Sequence, residues 1–308
     1  MRDVDLTAIA DDGLPLGGTL TLPSGRGPHP AVLLLHGSGR LDRDANTSRL
    51  RMSLGPPLAA ALAERGIATL RYDRRGVGAT PGDWLATGFT DNLRDATAAL
   101  RTLAARPDIR ADAIGVVGHS EGALHAMSLG SHPQVAAVVL LAGFARLGED
   151  ALRRQASMLA RDLPALLRPL MPALRAFATR QLTRIKATRA DVTRVAGRPI
   201  NARWMRELLI HDPRLDLADI KVPVLAITGG KDIQVDPADL EEIRRLVRGE
   251  VEIHLVSDLT HLLRRDPGPA SARSYPRLLR QPVDPDLLTQ VAAWLAHRLH
   301  PTDSLRLR

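Results

Sequence analysis

Short apolar runs alternate with amphipathic stretches along much of the chain. Ala31–Leu35 is apolar at every position, which is typical of a strand buried on both faces of a sheet. Leu16–Leu22 alternates instead and predicts an antiparallel strand that enters the sheet. Strands separated by helices predict right-handed crossovers and a mainly parallel sheet. In the first half, the other predicted elements are strands Ile67–Tyr72, Ala113–Val117 and Val135–Leu141, and helices Pro57–Arg65, Leu93–Ala105 and one ending near Leu129.

The pattern changes between residues 143 and 216. This stretch shows no strand signal and consists of Leu-, Ala- and Arg-rich segments broken by Pro164, Pro169, Pro172 and Pro199. The alternation then resumes with strand Val222–Thr228, helix Pro237–Arg248, strand Val251–Val256 and a last helix near Asp286–His300. We therefore predict an α/β core made of residues 1–142 and 217–308, with residues 143–216 inserted as a helical lid over one end of the sheet. The alternative is a helical subdomain that only enlarges the core.

The composition indicates an ordinary globular protein and argues against a nucleic-acid-binding one. The 308 residues are 44% hydrophobic and 25% charged, as in ordinary globular domains, and the net charge is +8. A basic protein can bind nucleic acid or anionic membrane, but here the arginines are spread along the chain and aromatics make up only 3%. We therefore expect no nucleic-acid partner.

The chain has no cysteine, which excludes disulfides and thiolate metal sites. Its first residues, beginning Met1-Arg2-Asp3, lack the apolar run of a signal peptide. No stretch is long and apolar enough to span a membrane. We expect a soluble, cytoplasmic protein, and the sequence leaves its oligomeric state open.

A Gly-x-Ser-x-Gly motif, Gly118-His119-Ser120-Glu121-Gly122, follows the predicted strand Ala113–Val117 and precedes a helix. A nucleophile needs a sharp turn that exposes its hydroxyl, and small neighbours permit that turn. The N-terminus of the helix favours the negative charge that develops during attack. We therefore predict Ser120 as the nucleophile.

A serine hydroxyl also needs a base that takes its proton. When the nucleophile occupies such a strand–helix turn, the acid and then the histidine follow it in the sequence. Asp232 follows strand Val222–Thr228, and His261 follows strand Val251–Val256, so both are predicted at carboxyl ends of strands. Asp236 is the alternative acid, although it precedes a proline and suits a helix N-cap. His254 is the alternative base, although it lies within a strand.

The tetrahedral intermediate of acyl transfer needs two backbone N–H donors. We expect these from Glu121, directly after the nucleophile, and from Ser38 in the loop after Ala31–Leu35. The histidines at 36, 119, 125 and 132 are interpreted as structural. No residues have metal-ligand spacing, and we expect neither a metal nor a cofactor.

These segments together resemble the α/β-hydrolase family, in its bacterial esterase, serine-aminopeptidase-like and dienelactone-hydrolase-like branch. The resemblance rests on residues 36–39, 42–44, 71–78, 118–122, 230–235 and 260–263. It implies the α/β-hydrolase fold and hydrolysis of esters or thioesters of a small-molecule acyl substrate through an acyl-enzyme, without a cofactor. Thr260 departs from the asparagine usual in this branch, and the triad is unaffected. The charged clusters at 42–44 and 73–75 are expected to pair with each other.

Three alternative functions remain open at this point. The same residues would serve acyl transfer, peptide cleavage or carbon–carbon hydrolysis. A lyase or a cofactor-free haloperoxidase is a second possibility on this fold. The third is a ligand-binding protein without activity, which an intact Ser120, Asp232 and His261 argues against.

Overall fold

The computed structural model describes residues 1–48, 50–162 and 165–300. It contains a large sheet, a small hairpin and helices on both sides of the large sheet. The strands are β1 Arg2–Ile9, β2 Pro15–Leu22, β3 His29–Leu35, β4 Ala68–Tyr72, β5 Ile109–His119, β6 Val135–Leu141, β7 Val192–Val195, β8 Arg198–Asn201, β9 Val224–Gly229 and β10 Val251–Val256. The helices are α1 Gly55–Ala63, α2 Phe89–Ala104, α3 Glu121–Leu129, α4 Gly148–Arg161, α5 Met171–Ala187, α6 Ala202–Ile210, α7 Pro213–Asp219, α8 Asp239–Leu246, α9 Tyr275–Leu278 and α10 Pro285–Leu299.

The large sheet has eight strands in the order β1-β2-β4-β3-β5-β6-β9-β10. β1 pairs with β2, and β2 with β4, in antiparallel register, whereas every other neighbouring pair in this sheet is parallel. The mainly parallel α/β architecture expected from the sequence is therefore confirmed.

The core lies on both faces of this sheet. In β3, Ala31, Leu33 and Leu35 pack into one buried cluster, and Val32 and Leu34 pack into the cluster on the opposite face. This division follows from the alternation of side chains along a strand. It also explains why residues 31–35 of β3 and the whole of β6 are apolar at every position. Among the helices of the described residues, none combines the length and the apolar character that a membrane crossing requires.

The segment between β6 and β9 differs from its prediction in one respect. The expectation that it contains no strand is wrong, because β7 and β8 form an antiparallel hairpin. Its two-residue turn places Ala196 at φ 49° and Gly197 at φ 78°, the positive values that tight hairpins need. The sequence predicts that Pro199 breaks regular structure, but Pro199 lies in β8, and the strands of a two-stranded hairpin are both edge strands, which tolerate proline. Pro164 lies outside the described residues.

The topology brings several loops to one edge of the sheet. The loop after β3, the turn between β5 and α3, and the loops after β9 and β10 all follow the carboxyl ends of parallel strands. Ligands of open α/β sheets bind outside this edge. Ser38, Ser120, Asp232 and His261 each lie in one of these four connections.

Candidate active site

Ser120 occupies the turn between β5 and α3 in a strained conformation, with φ 56° and ψ −120°. Its N–H donates to the Leu141 carbonyl oxygen at 2.9 Å. A Cβ on Gly118 would lie 2.1 Å from the carbonyl oxygen of Gly122, and a Cβ on Gly122 would lie 2.1 Å from that of Leu35. The two glycines of the motif are therefore required by close backbone packing, which holds Ser120 at the end of its strand.

Ser120, His261 and Asp232 lie together in a chain of hydrogen bonds. The Nε2 atom of His261 is 3.1 Å from the Oγ of Ser120, and its Nδ1 is 2.8 Å from Oδ2 of Asp232. The Asp232 side chain is fully buried, and its Oδ1 accepts from the N–H groups of Gln234 and Val235 at 2.7 and 2.9 Å. Both carboxylate oxygens are thus occupied, which fixes the orientation of Asp232.

The alternative acid and base point elsewhere. Asp236 pairs with Arg146 at 3.1 Å and with Arg154 at 3.0 Å. Its Oδ1 accepts from the Ala238 N–H in the turn before α8, so it precedes that helix without being its N-cap residue. His254 lies in β10 with its Nε2 2.5 Å from Glu252. Of the two candidate acids, only Asp232 contacts His261.

The loop that carries His261 is fixed by Arg264, a residue that the sequence did not single out. Its guanidinium is buried and donates to the carbonyl oxygens of Leu262 at 2.6 Å and Met52 at 2.7 Å. Its own carbonyl oxygen accepts from the Thr260 N–H and from the Thr260 hydroxyl, each at 2.9 Å. Burial lowers the pKa of Arg264 to about 10. Arg264 therefore connects the His261 loop to the loop after β3.

Ser38 and Glu121, the expected oxyanion donors, line the same cavity as Ser120 and His261. A Cβ built on Gly37 would lie 3.2 Å from the Cβ of Ser120, so the loop after β3 passes directly beside the nucleophile turn. As the first residue of α3, Glu121 has a backbone N–H without a partner inside the helix. The structure thus places both candidate donors at the Ser120 cavity.

The contacts of the Glu121 side chain are the part of the site that the sequence indicates least. Its carboxylate is buried, and its Oε1 lies 3.0 Å from Arg74 Nη1, 3.2 Å from His125 Nε2 and 3.4 Å from Asn92 Nδ2. Burial alone would raise the pKa of Glu121, but Arg74 and His125 outweigh it and lower this pKa to about 2. Arg74 also donates to the His36 carbonyl oxygen at 2.8 Å. It therefore joins the loop after β3 to the residue that follows the nucleophile.

The expected pairing between the two charged clusters is confirmed for one pair only. Arg43 binds Asp73 at 2.6 Å, as predicted. Arg74 binds Glu121, and Arg75 binds Asp95 at 2.7 Å. Two members of the second cluster therefore connect to α3 and α2 rather than to the first cluster.

We expect Arg74→Met to lower the free energy of unfolding by about 3–5 kcal/mol, because it leaves the Glu121 carboxylate buried without its cation. Urea denaturation measures this loss. The double variant Arg74→Met/Glu121→Met should recover much of it, since no unpaired charge then remains. A single-variant loss below about 1 kcal/mol would contradict a buried ion pair at this position.

His36 and His119 are buried neutral imidazoles, in agreement with a structural interpretation. Burial lowers the pKa of each to about 3. His119 Nε2 lies 3.0 Å from the His261 carbonyl oxygen, which can only accept, so this nitrogen carries the proton. Within the part of the chain that the structure describes, no group of three or more His, Asp or Glu side chains is placed to hold a metal ion.

The buried His36 and His119 make the free energy of unfolding depend on pH. Between pH 3 and pH 6.5 the unfolded chain binds protons that the folded protein does not, so the free energy of unfolding falls as the pH falls below 6.5. We expect His119→Asn to reduce the loss between pH 6.5 and 4.5 by about 2 kcal/mol. Urea denaturation across this range measures it, with the exposed His297→Asn as a control that keeps the wild-type profile. An unchanged profile for His119→Asn would show that this imidazole is not held neutral.

Comparison with known proteins supplies the family. The model of the Hydrolase_4 family, described as serine aminopeptidase, S33, matches residues 51–268. Esterase EstD of Thermotoga maritima is 28% identical over 295 residues, which cover 93% of this chain and 66% of EstD. The 2,6-dihydropseudooxynicotine hydrolase of Paenarthrobacter nicotinovorans is 33% identical over 137 residues, 44% of this chain and 34% of that enzyme.

Solved structures show the same fold. A crystal structure of 2,6-dihydroxy-pseudo-oxynicotine hydrolase superposes with a TM-score of 0.62 at 20% identity, covering 97% of this chain and 68% of that one. The esterase domain of a Rhodothermus marinus protein gives 0.61 at 20% identity, covering 97% and 100%. EstD is longer, so this chain spans just under two thirds of its length. The matched family model covers well over half of the sequence, and the chain therefore belongs to the S33 serine aminopeptidase family, with the α/β-hydrolase fold.

Proposed function

We propose that this chain hydrolyses carboxylic esters or thioesters of small molecules through an acyl-enzyme intermediate. The observation that carries the proposal is the hydrogen-bond chain from Ser120 Oγ through His261 to Asp232, with distances of 3.1 and 2.8 Å. Membership of a serine hydrolase family and similarity to an esterase along 93% of the chain support it.

The residues perform the reaction in two halves. His261 Nε2 takes the proton of Ser120 as Oγ attacks the acyl carbonyl, and Asp232 stabilises the imidazolium that forms. The N–H groups of Ser38 and Glu121 bind the oxyanion. His261 then protonates the leaving alcohol or thiol. In the second half, His261 activates a water molecule that attacks the acyl-serine, and Ser120 recovers its proton as the acid leaves.

We propose that residues 143–216 act as a lid on a core formed by residues 1–142 and 217–308. Support comes from the walls of the Ser120 cavity, because six of its lining residues belong to this segment: Phe144, Ala151, Leu152, Gln155, Trp204 and Leu208. A segment that only enlarged the core would not border the nucleophile. A cytoplasmic location stays a prediction, which fractionation of the producing cell tests.

The direct test combines labelling with turnover. A fluorophosphonate probe should modify the wild-type protein once, on the peptide that contains Ser120, and a panel of esters, thioesters and amides should release acid from the first two classes. Transfer to an added acceptor alcohol without release of acid would favour an acyltransferase. If the folded protein neither labels nor turns over any member of the panel, the proposed hydrolase activity is wrong and a binding role is favoured.

A further inference from the structure

A second cavity of about 260 Å³ adjoins the cavity at Ser120, which measures only about 50 Å³. Ser38 and Trp204 line both, so they form the boundary between the two spaces. The larger cavity does not border Ser120 or His261. We call the larger space the Trp84 cavity; its lining residues are Ser38, Gly39, Arg74, Trp84, Asn92, Pro199, Ile200, Asn201, Trp204 and Met205.

The Trp84 cavity is apolar where a ligand would lie. The chain has three tryptophans, and two of them, Trp84 and Trp204, line this space together with Met205 and Ile200. Aromatic walls of this kind bind apolar groups over a large area. Two of the three tryptophans, in a chain with only 3% aromatic residues, therefore border this one cavity.

Two polar side chains that border the Trp84 cavity, those of Arg74 and Asn201, already bind protein partners. Arg74 is paired with Glu121 and donates to the His36 carbonyl oxygen. The Asn201 amide donates to the carbonyl oxygens of Trp84 at 2.9 Å and Thr87 at 2.6 Å. Because the charge of Arg74 is balanced by Glu121, the cavity offers no free cation to a substrate carboxylate. Its ligand should be uncharged.

The walls of the Trp84 cavity are fixed relative to each other. The Asn201 side chain accepts from the Trp204 N–H at 2.8 Å, which caps α6. In α6, Arg203 binds Asp91 at 3.0 Å, and Glu207 accepts from the Thr90 N–H at 2.8 Å. These contacts hold α6 and the β7–β8 hairpin against the start of α2. A fixed cavity selects ligands by size.

The position of His261 decides which half of a substrate enters the Trp84 cavity. His261 must protonate the leaving oxygen or sulfur, so the leaving atom lies beside His261 at the small cavity. The acyl group extends from the other side of the carbonyl carbon. Ser38, one of the proposed oxyanion donors, lines both cavities and so lies between the carbonyl site and the Trp84 cavity. The Trp84 cavity is therefore the larger space next to the acyl side of the carbonyl.

We infer that this chain prefers esters that join a bulky, uncharged acyl group, aromatic or alicyclic, to a small alcohol or thiol. This inference rests on the proposed function. A cavity of about 150 Å³ is enough to bind benzene, so about 260 Å³ accepts a ring with one or two additional carbons. The space beside His261 is smaller, at about 50 Å³, and therefore favours a small alcohol or thiol. Trp204 and Ile200 set this selectivity as walls of the acyl site.

Two constitutional isomers test the assignment, because methyl phenylacetate carries its ring on the acyl side and benzyl acetate carries it on the alcohol side. We expect wild-type kcat/KM to be about tenfold or more higher for methyl phenylacetate than for benzyl acetate or methyl acetate. Ile200→Trp fills the Trp84 cavity and should lower kcat/KM for methyl phenylacetate about tenfold or more, with methyl acetate changed less than about twofold. Ile210→Trp is the matched control, since Ile210 ends α6 and is 77% exposed, and it should change none of the three values.

Two outcomes of this experiment would show that the Trp84 cavity is not the acyl site. If benzyl acetate is the better substrate and the one that Ile200→Trp impairs, the Trp84 cavity is the alcohol site and the inference is wrong. It is also wrong if Ile200→Trp changes all three esters equally. Should Ile200→Trp fail to fold, Met205→Phe, which fills the same cavity, replaces it with the same expected pattern. Absence of both labelling and turnover of every ester would instead count against the proposed function itself.

Discussion

Ser120→Ala is expected to abolish covalent labelling by a fluorophosphonate and to lower ester turnover by about 10⁴–10⁶-fold. Without the hydroxyl, the acyl-serine intermediate of the proposed mechanism cannot form. The remaining turnover would come from binding and from the oxyanion donors. The free energy of unfolding should change by less than about 1 kcal/mol, because alanine and serine meet the same strain at φ 56°. Intact-mass measurement after labelling, together with turnover assays, checks this.

Ser131→Ala provides the matched control for this variant. Ser131 is exposed just beyond the far end of α3, so its substitution should leave both labelling and turnover at the wild-type level. Equal labelling of Ser120→Ala and wild type would mean that another residue is the nucleophile. Loss of labelling together with unfolding would show that the variant reports on the fold and not on the chemistry.

The parts of the site that could be predicted from the sequence are those encoded locally. Gly118 and Gly122 flank Ser120 within five residues, and the adjacent apolar strand fixes where the turn lies. Asp232 could be identified because it follows β9, which is buried at every position and mostly apolar. His261 could be identified because it follows β10, an edge strand in which apolar and polar residues alternate.

The parts that could not be predicted depend on contacts between distant segments. Arg74 and Glu121 are 47 positions apart, and the charged cluster around Arg74 offered Asp42 and Asp44 as equally plausible partners. Arg264 donates to main-chain carbonyl oxygens. Every residue carries such an oxygen, so the sequence does not indicate which ones Arg264 binds. The sequence does not indicate the hairpin, because Ala196-Gly197 is a less common turn sequence than Asn-Gly and a proline follows in β8.

The ion pair between Arg74 and Glu121 connects the Ser120 cavity to the Trp84 cavity. Arg74 pairs with Glu121, which lines the Ser120 cavity, and Arg74 itself lines the Trp84 cavity. One ion pair thus positions the residue after the nucleophile and removes a free charge from the proposed acyl site. The arginine-rich composition of the chain, which first suggested an anionic partner, is used at this position for internal pairing.

Asp232→Asn should lower turnover by about 10⁴-fold with little change in structure. Oδ1 of Asp232 accepts two backbone N–H groups, so the amide oxygen of the variant must occupy that position and its NH₂ must face His261 Nδ1. Nδ1 then has to accept, which moves the proton of the neutral imidazole to Nε2 and leaves no lone pair there for the Ser120 proton. Asp236→Asn is the matched control, and we expect it to change turnover less than about tenfold because Asp236 binds Arg146 and Arg154 instead of His261. Steady-state kinetics on one activated ester measures both variants, and a large loss in Asp236→Asn with a small one in Asp232→Asn would reverse the assignment of the acid.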